Sequence, residues 1–136
     1  MAGMLQLEVA TPERMLLKEQ VREVEVPGAG GALGILPGHA PLLSELGNGR
    51  LSYVLENGHR KWMAVCGGYV EVQSDRVRIL ADSAENADEI DVNRAAAALK
   101  RAEERILNPL PGIDVARALN AVARAQARLA AIKSAR

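Results

Sequence analysis

The first two thirds of the chain alternate apolar and polar residues with the period of two that is typical of half-buried strands. Leu5 to Val9 alternates strictly, and Val21 to Val26 alternates in part. Asn57-Gly58 separates two apolar runs, and this dipeptide readily takes the positive φ angles of a tight hairpin turn. A second pair of runs flanks Gln73 to Asp75. Many short strands at close spacing predict a β-sandwich or flattened barrel, with a bend at Gly67-Gly68.

After Asp88 the apolar spacing changes to three or four residues. Asp91 to Leu107 lacks Gly and Pro, and its helix-forming residues carry one apolar stripe. The stripe consists of Val92, Ala95, Leu99, Ala102 and Ile106. We expect Asp88 to cap this helix and the Pro/Gly-rich run from Asn108 to Gly112 to end it. A second helix is predicted from about Asp114 to Lys133, with a stripe at Val115, Leu119, Val122, Leu129 and Ile132.

This change of pattern divides the chain into residues 1–87, predicted to form the β part, and residues 88–136, predicted to form an antiparallel two-helix hairpin. The predicted class is therefore α+β. Alanine dominates both helices, and its single methyl buries little area, since one buried CH₂ contributes about 0.8 kcal/mol. We therefore expect the hairpin to be the less stable part, able to detach or open.

The composition argues against several classes of function. Seventeen basic and 17 acidic residues give a net charge of zero, whereas nucleic-acid binders carry a basic excess. The single cysteine, Cys66, excludes an internal disulfide and a Cys-based metal site, and its apolar neighbours predict burial. No apolar run approaches the roughly 20 residues of a membrane helix, and the N-terminal residues lack a signal-peptide pattern. We expect membrane contact only through a partner.

No residue pattern indicates catalysis or a metal site. His39 and His59 are the only histidines, and His59 follows the Asn-Gly turn, so we expect it to be exposed. The acidic residues from Glu85 to Asp91 fit the start of a helix better than a metal site. The chain is therefore predicted to be non-enzymatic.

The most distinctive segment is a Gly/Pro-rich run from Gly31 to Leu43. Pro37 and Pro41 fix φ, while Gly34 and Gly38 permit turns that other residues resist. Such rigidity suits a docking surface, and a tight chain reversal between two strands is the plainer alternative. No Lys-Ser or Lys-Thr follows the last glycine, so the segment is not a phosphate loop.

This run, Gly-x-x-Gly-Ile-Leu-Pro-Gly-His-Ala-Pro-Leu from Gly31 to Leu42, resembles the signature of the epsilon subunits of F-type ATP synthases. The segment from Met63 to Val72 resembles the Gly-Gly hairpin that follows in that family. Val77 to Ala84 and then Ile90 to Ala95 complete the resemblance, which extends from about Leu5 to the C-terminus.

The resemblance implies a ten-stranded β-sandwich followed by the helical hairpin. It implies a non-catalytic part of the rotary central stalk, which couples proton or sodium flow to ATP synthesis at the cytoplasmic face of the bacterial plasma membrane. The sandwich would bind the gamma subunit and sit on the c-subunit ring through Gly31, Ala32, Leu36, Pro37, His39, Pro41 and Leu42. Many relatives carry an acidic residue where this chain has Ala32, which implies a more apolar ring contact.

The helices carry a second candidate site. Asp91, Arg94 and Arg101 share one helix face, and Arg117, Arg124 and Arg128 share another that points mostly away from the apolar stripe. Two arginine faces can clamp a polyphosphate; a solvated charged face is the plainer alternative. Ile90-Asp91-x-x-Arg94-Ala95 resembles the ATP-binding motif of some bacterial epsilon subunits. The resemblance implies ATP as a regulatory ligand, no required cofactor, and binding by Glu85, Ile90, Asp91, Arg94, Arg101, Arg124 and Arg128.

The resemblance also implies a regulatory role for the hairpin. A released second helix, which is basic, would extend beside gamma and reach an acidic loop of the catalytic beta subunits, thereby braking ATP hydrolysis. The alternative is a stand-alone β-sandwich that binds a small ligand, with the hairpin as a lid. Co-purification with gamma distinguishes the two.

Overall fold

The structure is a computed structural model that describes residues 3–135. Its strands are β1 (Leu5–Ala10), β2 (Met15–Gly28), β3 (Gly31–Ile35), β4 (Leu42–Glu45), β5 (Asn48–Leu55), β6 (Arg60–Gln73) and β7 (Arg76–Asn86). A 3-10 turn, Ala87–Glu89, leads to the helices α1 (Val92–Leu107) and α2 (Val115–Ala135). The predicted α+β class and the two predicted hairpin turns of the sheet are confirmed.

The strands form a sheet that closes on itself around an apolar core. Their order is β1-β7-β6-β5-β2-β3, with β1 also pairing with β2, and β4 pairing with β6. The part of the chain that the structure describes has seven strands, not the ten that were predicted. The number is lower because β2, β6 and β7 are long and each continues from one layer of the sandwich into the other.

The bend of β6 at Gly67-Gly68 moves the strand between the two layers. The residues of β6 that face the core of the sandwich are Met63 and Val65 before the bend and Val70 and Val72 after it. Since side chains alternate along a strand, this change from odd to even numbers reverses the face that meets the core. Both glycines have positive φ, and the predicted bend is confirmed. Cys66 and Tyr69 therefore point outward on opposite layers.

Helix α2 packs on the outer face of β5 and β6, and α1 packs mainly on α2. The α2–sheet contact joins Ala127 and Ala131 to Ala64, Cys66 and Ala87, with Trp62 and Ile90 beside them. The predicted stripe of α2 is wrong at its N-terminal end, because Val115 and Leu119 are 49% and 53% exposed. The fully buried α2 residues are Ala118, Ala125, Ala127 and Ala131. Small side chains pack here because helix and sheet approach closely.

The N-cap of α1 also differs from the prediction. Asp91, not Asp88, precedes the helix, and its side chain accepts a hydrogen bond from the backbone N–H of Arg94 at 3.1 Å. Asp88 lies in the 3-10 turn, and Ile90 after it is extended, so the α-helix cannot start earlier. Within residues 3–135, neither helix is long and apolar enough to cross a membrane.

Candidate functional site

A cavity of about 500 Å³ lies where the end of β7, the start of α1 and the middle of α2 meet. Its lining residues are Glu85, Glu89, Ile90, Asp91, Arg94, Ala95, Ala98, Arg101 and Arg128. The volume lies within the range of roughly 300–1,000 Å³ that is typical of small-molecule sites. The structure thus brings six of the seven residues predicted to bind ATP around one cavity.

Local structure explains how these side chains converge. Asp91 caps α1 and lines the cavity, so the first turn of the helix begins there. Arg94 and Arg101 are two helical turns apart and line the same face. Arg128 reaches the cavity from α2, and Glu85 reaches it from the last residues of β7.

The cavity combines an internal ion pair with two arginines that lack one. Arg128 donates from Nε to Oε1 of Glu85 at 2.6 Å, and both side chains are about one third exposed. Within residues 3–135, Arg94 and Arg101 have no ion-pair partner. Their guanidinium groups are therefore available to an anion, and guanidinium matches phosphate oxygens in a bidentate geometry.

Arg124, the seventh predicted residue, lines a neighbouring cavity of about 330 Å³ instead. It lies there with Asn120 of α2 and with Cys66, Asp82 and Ser83 of the sandwich. The prediction that the basic face of α2 points away from the packed side is wrong for Arg124 and Arg128. Because alanines form the contact with the sheet, the flanking arginines also face the sandwich.

Cys66 confirms the predicted burial at 8% exposure. Burial raises the pKa of its thiol, and the nearby Ser83 and arginines oppose that shift only in part. The thiol is therefore protonated near neutral pH and is a poor nucleophile. The residues that the structure describes contain no group of His, Cys, Asp and Glu arranged to hold a metal ion.

The Gly/Pro-rich loop between β3 and β4 is held by two hydrogen bonds. The backbone N–H of His39 donates to the carbonyl of Leu36 at 3.1 Å, which reverses the chain. The N–H of Gly38, whose φ is +84°, donates to Oδ1 of Asp75 at 2.7 Å. The loop is thus fixed to the turn between β6 and β7, while Leu36 remains 57% exposed.

The predicted docking residues fall into two groups. Gly31 and Ala32 lie at the exposed tip of the β2–β3 hairpin. The others, Leu36, Pro37, His39, Pro41 and Leu42, lie at or beyond the far end of β3. The two groups lie at opposite ends of β3. This strand has five residues, so its first and last residues are about 13 Å apart at roughly 3.3 Å per residue.

An exposed apolar face beside the second group escaped the sequence analysis. It consists of Met15, Leu43, Tyr69 and Leu80, which are 54%, 71%, 55% and 52% exposed. The strand register places them on one outer surface, because Tyr69 pairs with Leu80, and Leu43 pairs with the residue two places after Tyr69. The signal was present in the sequence: Tyr69 and Leu80 are apolar at positions where alternation with buried Val70 and Ile79 predicts polar residues.

The chain is similar in sequence to ATP synthase subunits over nearly its whole length. The sequence profile described as "ATP synthase, Delta/Epsilon chain, beta-sandwich domain" matches residues 4–87, and "ATP synthase, Delta/Epsilon chain, long alpha-helix domain" matches residues 88–133. A protein of Solibacter usitatus named ATP synthase epsilon chain is 57% identical over 130 residues, covering 96% of each chain. A protein of the same name from Desulfitobacterium hafniense is 46% identical over 98% of this chain and 100% of its own length.

The fold is also similar to a chain in the cryo-EM structure of the Euglena gracilis mitochondrial ATP synthase, OSCP/F1/c-ring. The TM-score is 0.79 at 24% identity, covering 89% of this chain and 76% of the other. At this identity, the likeness establishes the fold alone.

Proposed function

The chain belongs to the family of ATP synthase delta/epsilon chains, and from that premise we propose that it acts as a non-catalytic epsilon subunit of the rotary stalk. In this role it couples proton or sodium flow to ATP synthesis, and it is held peripherally at the cytoplasmic face of the bacterial plasma membrane. The observation that carries the proposal is the exposed apolar face of Met15, Leu43, Tyr69 and Leu80, together with the rigid loop next to it.

This face has the composition of a protein interface. Tyr69 and Leu80 are cross-strand neighbours at its centre. The next row across the strands holds Leu43, Glu71, Arg78 and the largely buried Glu8. Oε2 of Glu8 lies 3.5 Å from Nε of Arg78. An apolar centre with a polar rim is typical of interfaces between proteins. We assign it, with the loop from Leu36 to Leu42, to the gamma subunit, and the hairpin tip at Gly31 and Ala32 to the c-subunit ring.

A matched pair of leucines tests the gamma contact. Leu43→Ser removes an apolar side chain that is 71% exposed on the face, and Leu110→Ser removes one that is 70% exposed between the helices. Both variants should fold, because exposed substitutions change stability by only about 0.5 kcal/mol. Leu43→Ser should reduce co-purification with gamma by about tenfold, whereas Leu110→Ser should not. Equal retention by both variants would place the contact elsewhere.

For the cavity we propose regulatory ATP binding. Arg94 and Arg101 supply unpaired guanidinium groups for the phosphates, and the half-buried Ile90 supplies an apolar wall for the base. Arg128 can join them by leaving Glu85, which is only 2.6 Å away. A solvated charged face is the plainer explanation of these arginines.

Titration of the isolated chain with ATP, followed by backbone amide shifts, distinguishes the two explanations. Binding should shift the amides of the first turn of α1, and Arg101→Ala should weaken it by about tenfold through loss of a charge-assisted contact. Arg105→Ala removes an exposed arginine one turn further on that does not line the cavity, so it should bind as the parent does. Unchanged spectra at millimolar ATP would exclude the site.

We further propose that the hairpin brakes ATP hydrolysis when it leaves the sandwich and α2 meets the beta subunits. ATP shifts this equilibrium only by binding one conformer more tightly. Deleting residues 114–136 should raise hydrolysis by the assembled enzyme while leaving assembly intact. Unchanged hydrolysis in an intact complex would count against the brake but not against the docking role.

A further inference from the structure

The attachment of the hairpin to the sandwich is concentrated in the C-terminal half of α2. Ala127 and Ala131 are the α2 residues in the shared apolar cluster with the sheet. Val115 and Leu119, nearer the start of the helix, are about half exposed. Since α1 packs mainly on α2, the position of the whole hairpin depends on contacts near the end of the chain.

The last turn of α2 meets a cluster centred on Trp62, the only tryptophan. Arg50 lies over its ring, with Cζ 5.3 Å from the ring centroid. The same guanidinium donates from Nη1 to Oγ of Ser134. Arg50 therefore makes contact with the sandwich and the helix at once.

Arg60 supports the same ring from the sandwich. Its Cζ is 5.9 Å from the centroid of Trp62, and it is held by an ion pair to Glu23 and a 2.7 Å hydrogen bond to the buried Ser52. The partners that hold Arg60 are thus all residues of the sandwich. Trp62 and Arg60, which lie under the end of α2, both belong to the sandwich. Arg50 connects this pair to Ser134 of α2.

We propose that Arg50 is a latch that fastens the C-terminal end of α2 to Trp62 and so sets how often the hairpin opens. The proposal deepens the proposed regulation, because a brake that acts by release requires a fastening. It is nevertheless tested on the isolated chain, so failure of the latch and failure of the brake are distinguishable.

Cys66 supplies the readout, since this sole cysteine is 8% exposed and packs in the same cluster as Ala127 and Ala131. Because little of Cys66 is exposed while α2 covers it, a maleimide should react faster when α2 lifts, so the labelling rate reports opening. Arg50→Ala removes both the cation–π contact and the hydrogen bond, and labelling should accelerate about tenfold. Ser134→Ala removes the hydrogen bond alone, and should accelerate labelling about threefold. The double variant should label no faster than Arg50→Ala.

Arg22→Ala is the control, because Arg22 is an exposed arginine on β2 of the same sandwich; it should label at the parent rate. Parent-like labelling of both Arg50→Ala and Ser134→Ala would overturn the latch. So would equal acceleration in Arg22→Ala, since that would indicate general loosening of the sandwich. Because Ser134→Ala changes only one hydroxyl near the chain end, it keeps the test decisive even if Arg50→Ala fails to fold.

Discussion

Replacing Gly68 with alanine places a Cβ atom where the backbone of β7 already lies. The ideal position of that atom is 1.9 Å from the carbonyl oxygen of Leu80 and 2.8 Å from Cα of Ala81. Neither neighbour is the flexible end of a side chain, so the paired strands themselves must separate. Gly68 also has φ of +101°, a conformation that L-residues with a side chain rarely adopt.

Two costs therefore add. A residue other than glycine in the left-handed region costs about 1–2 kcal/mol, and forcing extra atoms into a packed site costs about 1–3 kcal/mol more. Gly68→Ala should therefore lower the free energy of unfolding by about 2–5 kcal/mol. That is a large share of the roughly 5–15 kcal/mol that stabilises an ordinary domain.

Substitutions at two other glycines distinguish the cost of positive φ from the cost of steric overlap. Gly58 has φ of +90° but nothing within 4 Å of its added Cβ, so Gly58→Ala should cost only about 1–2 kcal/mol. Gly34 lacks both constraints, and Gly34→Ala should stay within about 0.5 kcal/mol. Urea unfolding followed by the fluorescence of Trp62, on the same strand as Gly68, measures all three. If Gly68→Ala lowers the free energy of unfolding no more than Gly58→Ala does, the close approach of β6 and β7 is refuted.

Three further predictions concern the hairpin and the cysteine that it covers. Asp91→Ala should lower thermal stability of α1 by about 1 kcal/mol, whereas Asp91→Asn should retain the cap; circular dichroism compares them. Ala131→Leu should lift α2 from the sheet and accelerate maleimide labelling of Cys66, unlike Ala116→Leu at an exposed position. Burial raises the pKa of the Cys66 thiol above its ordinary value. The contribution of the thiol to stability is therefore complete below the ordinary cysteine pKa of about 8.5 and is lost as pH rises through the folded pKa. Cys66→Ala should flatten that decline in pH-dependent unfolding.

Local patterns predicted the sheet better than they predicted its strand count. Alternation and the turn at Asn57-Gly58 are properties of a few neighbouring residues, and both hairpins follow from them. The strand count depends on whether a glycine pair ends a strand or bends it. Gly67-Gly68 bends the strand, because β7 curves with β6 and stays paired with it on both sides of the bend. The residues near Gly67 in the sequence do not reveal this pairing, since β7 lies further along the chain.

Residue spacing also predicted correctly which side chains share a face of α1. It did not predict which face of α2 packs on the sheet. Arg94 and Arg101 line one cavity as their seven-residue separation requires. The rotation of α2 was inferred from its larger apolar residues, but the close approach to the sheet selects alanines. Because the alanine face packs on the sheet, Arg124 lines the neighbouring cavity and Leu119 is exposed.

The bend of β6 also gives the sandwich two separate outer surfaces, one covered by α2 and one that we propose for the gamma subunit. Before the bend, Trp62 and Cys66 face outward under α2; after it, Tyr69 faces outward on the other layer with Leu80. Because the two outer surfaces belong to opposite layers, lifting α2 uncovers the first without altering the apolar face proposed for gamma. Opening of the hairpin, as proposed for regulation, is therefore compatible with continuous docking through the apolar face.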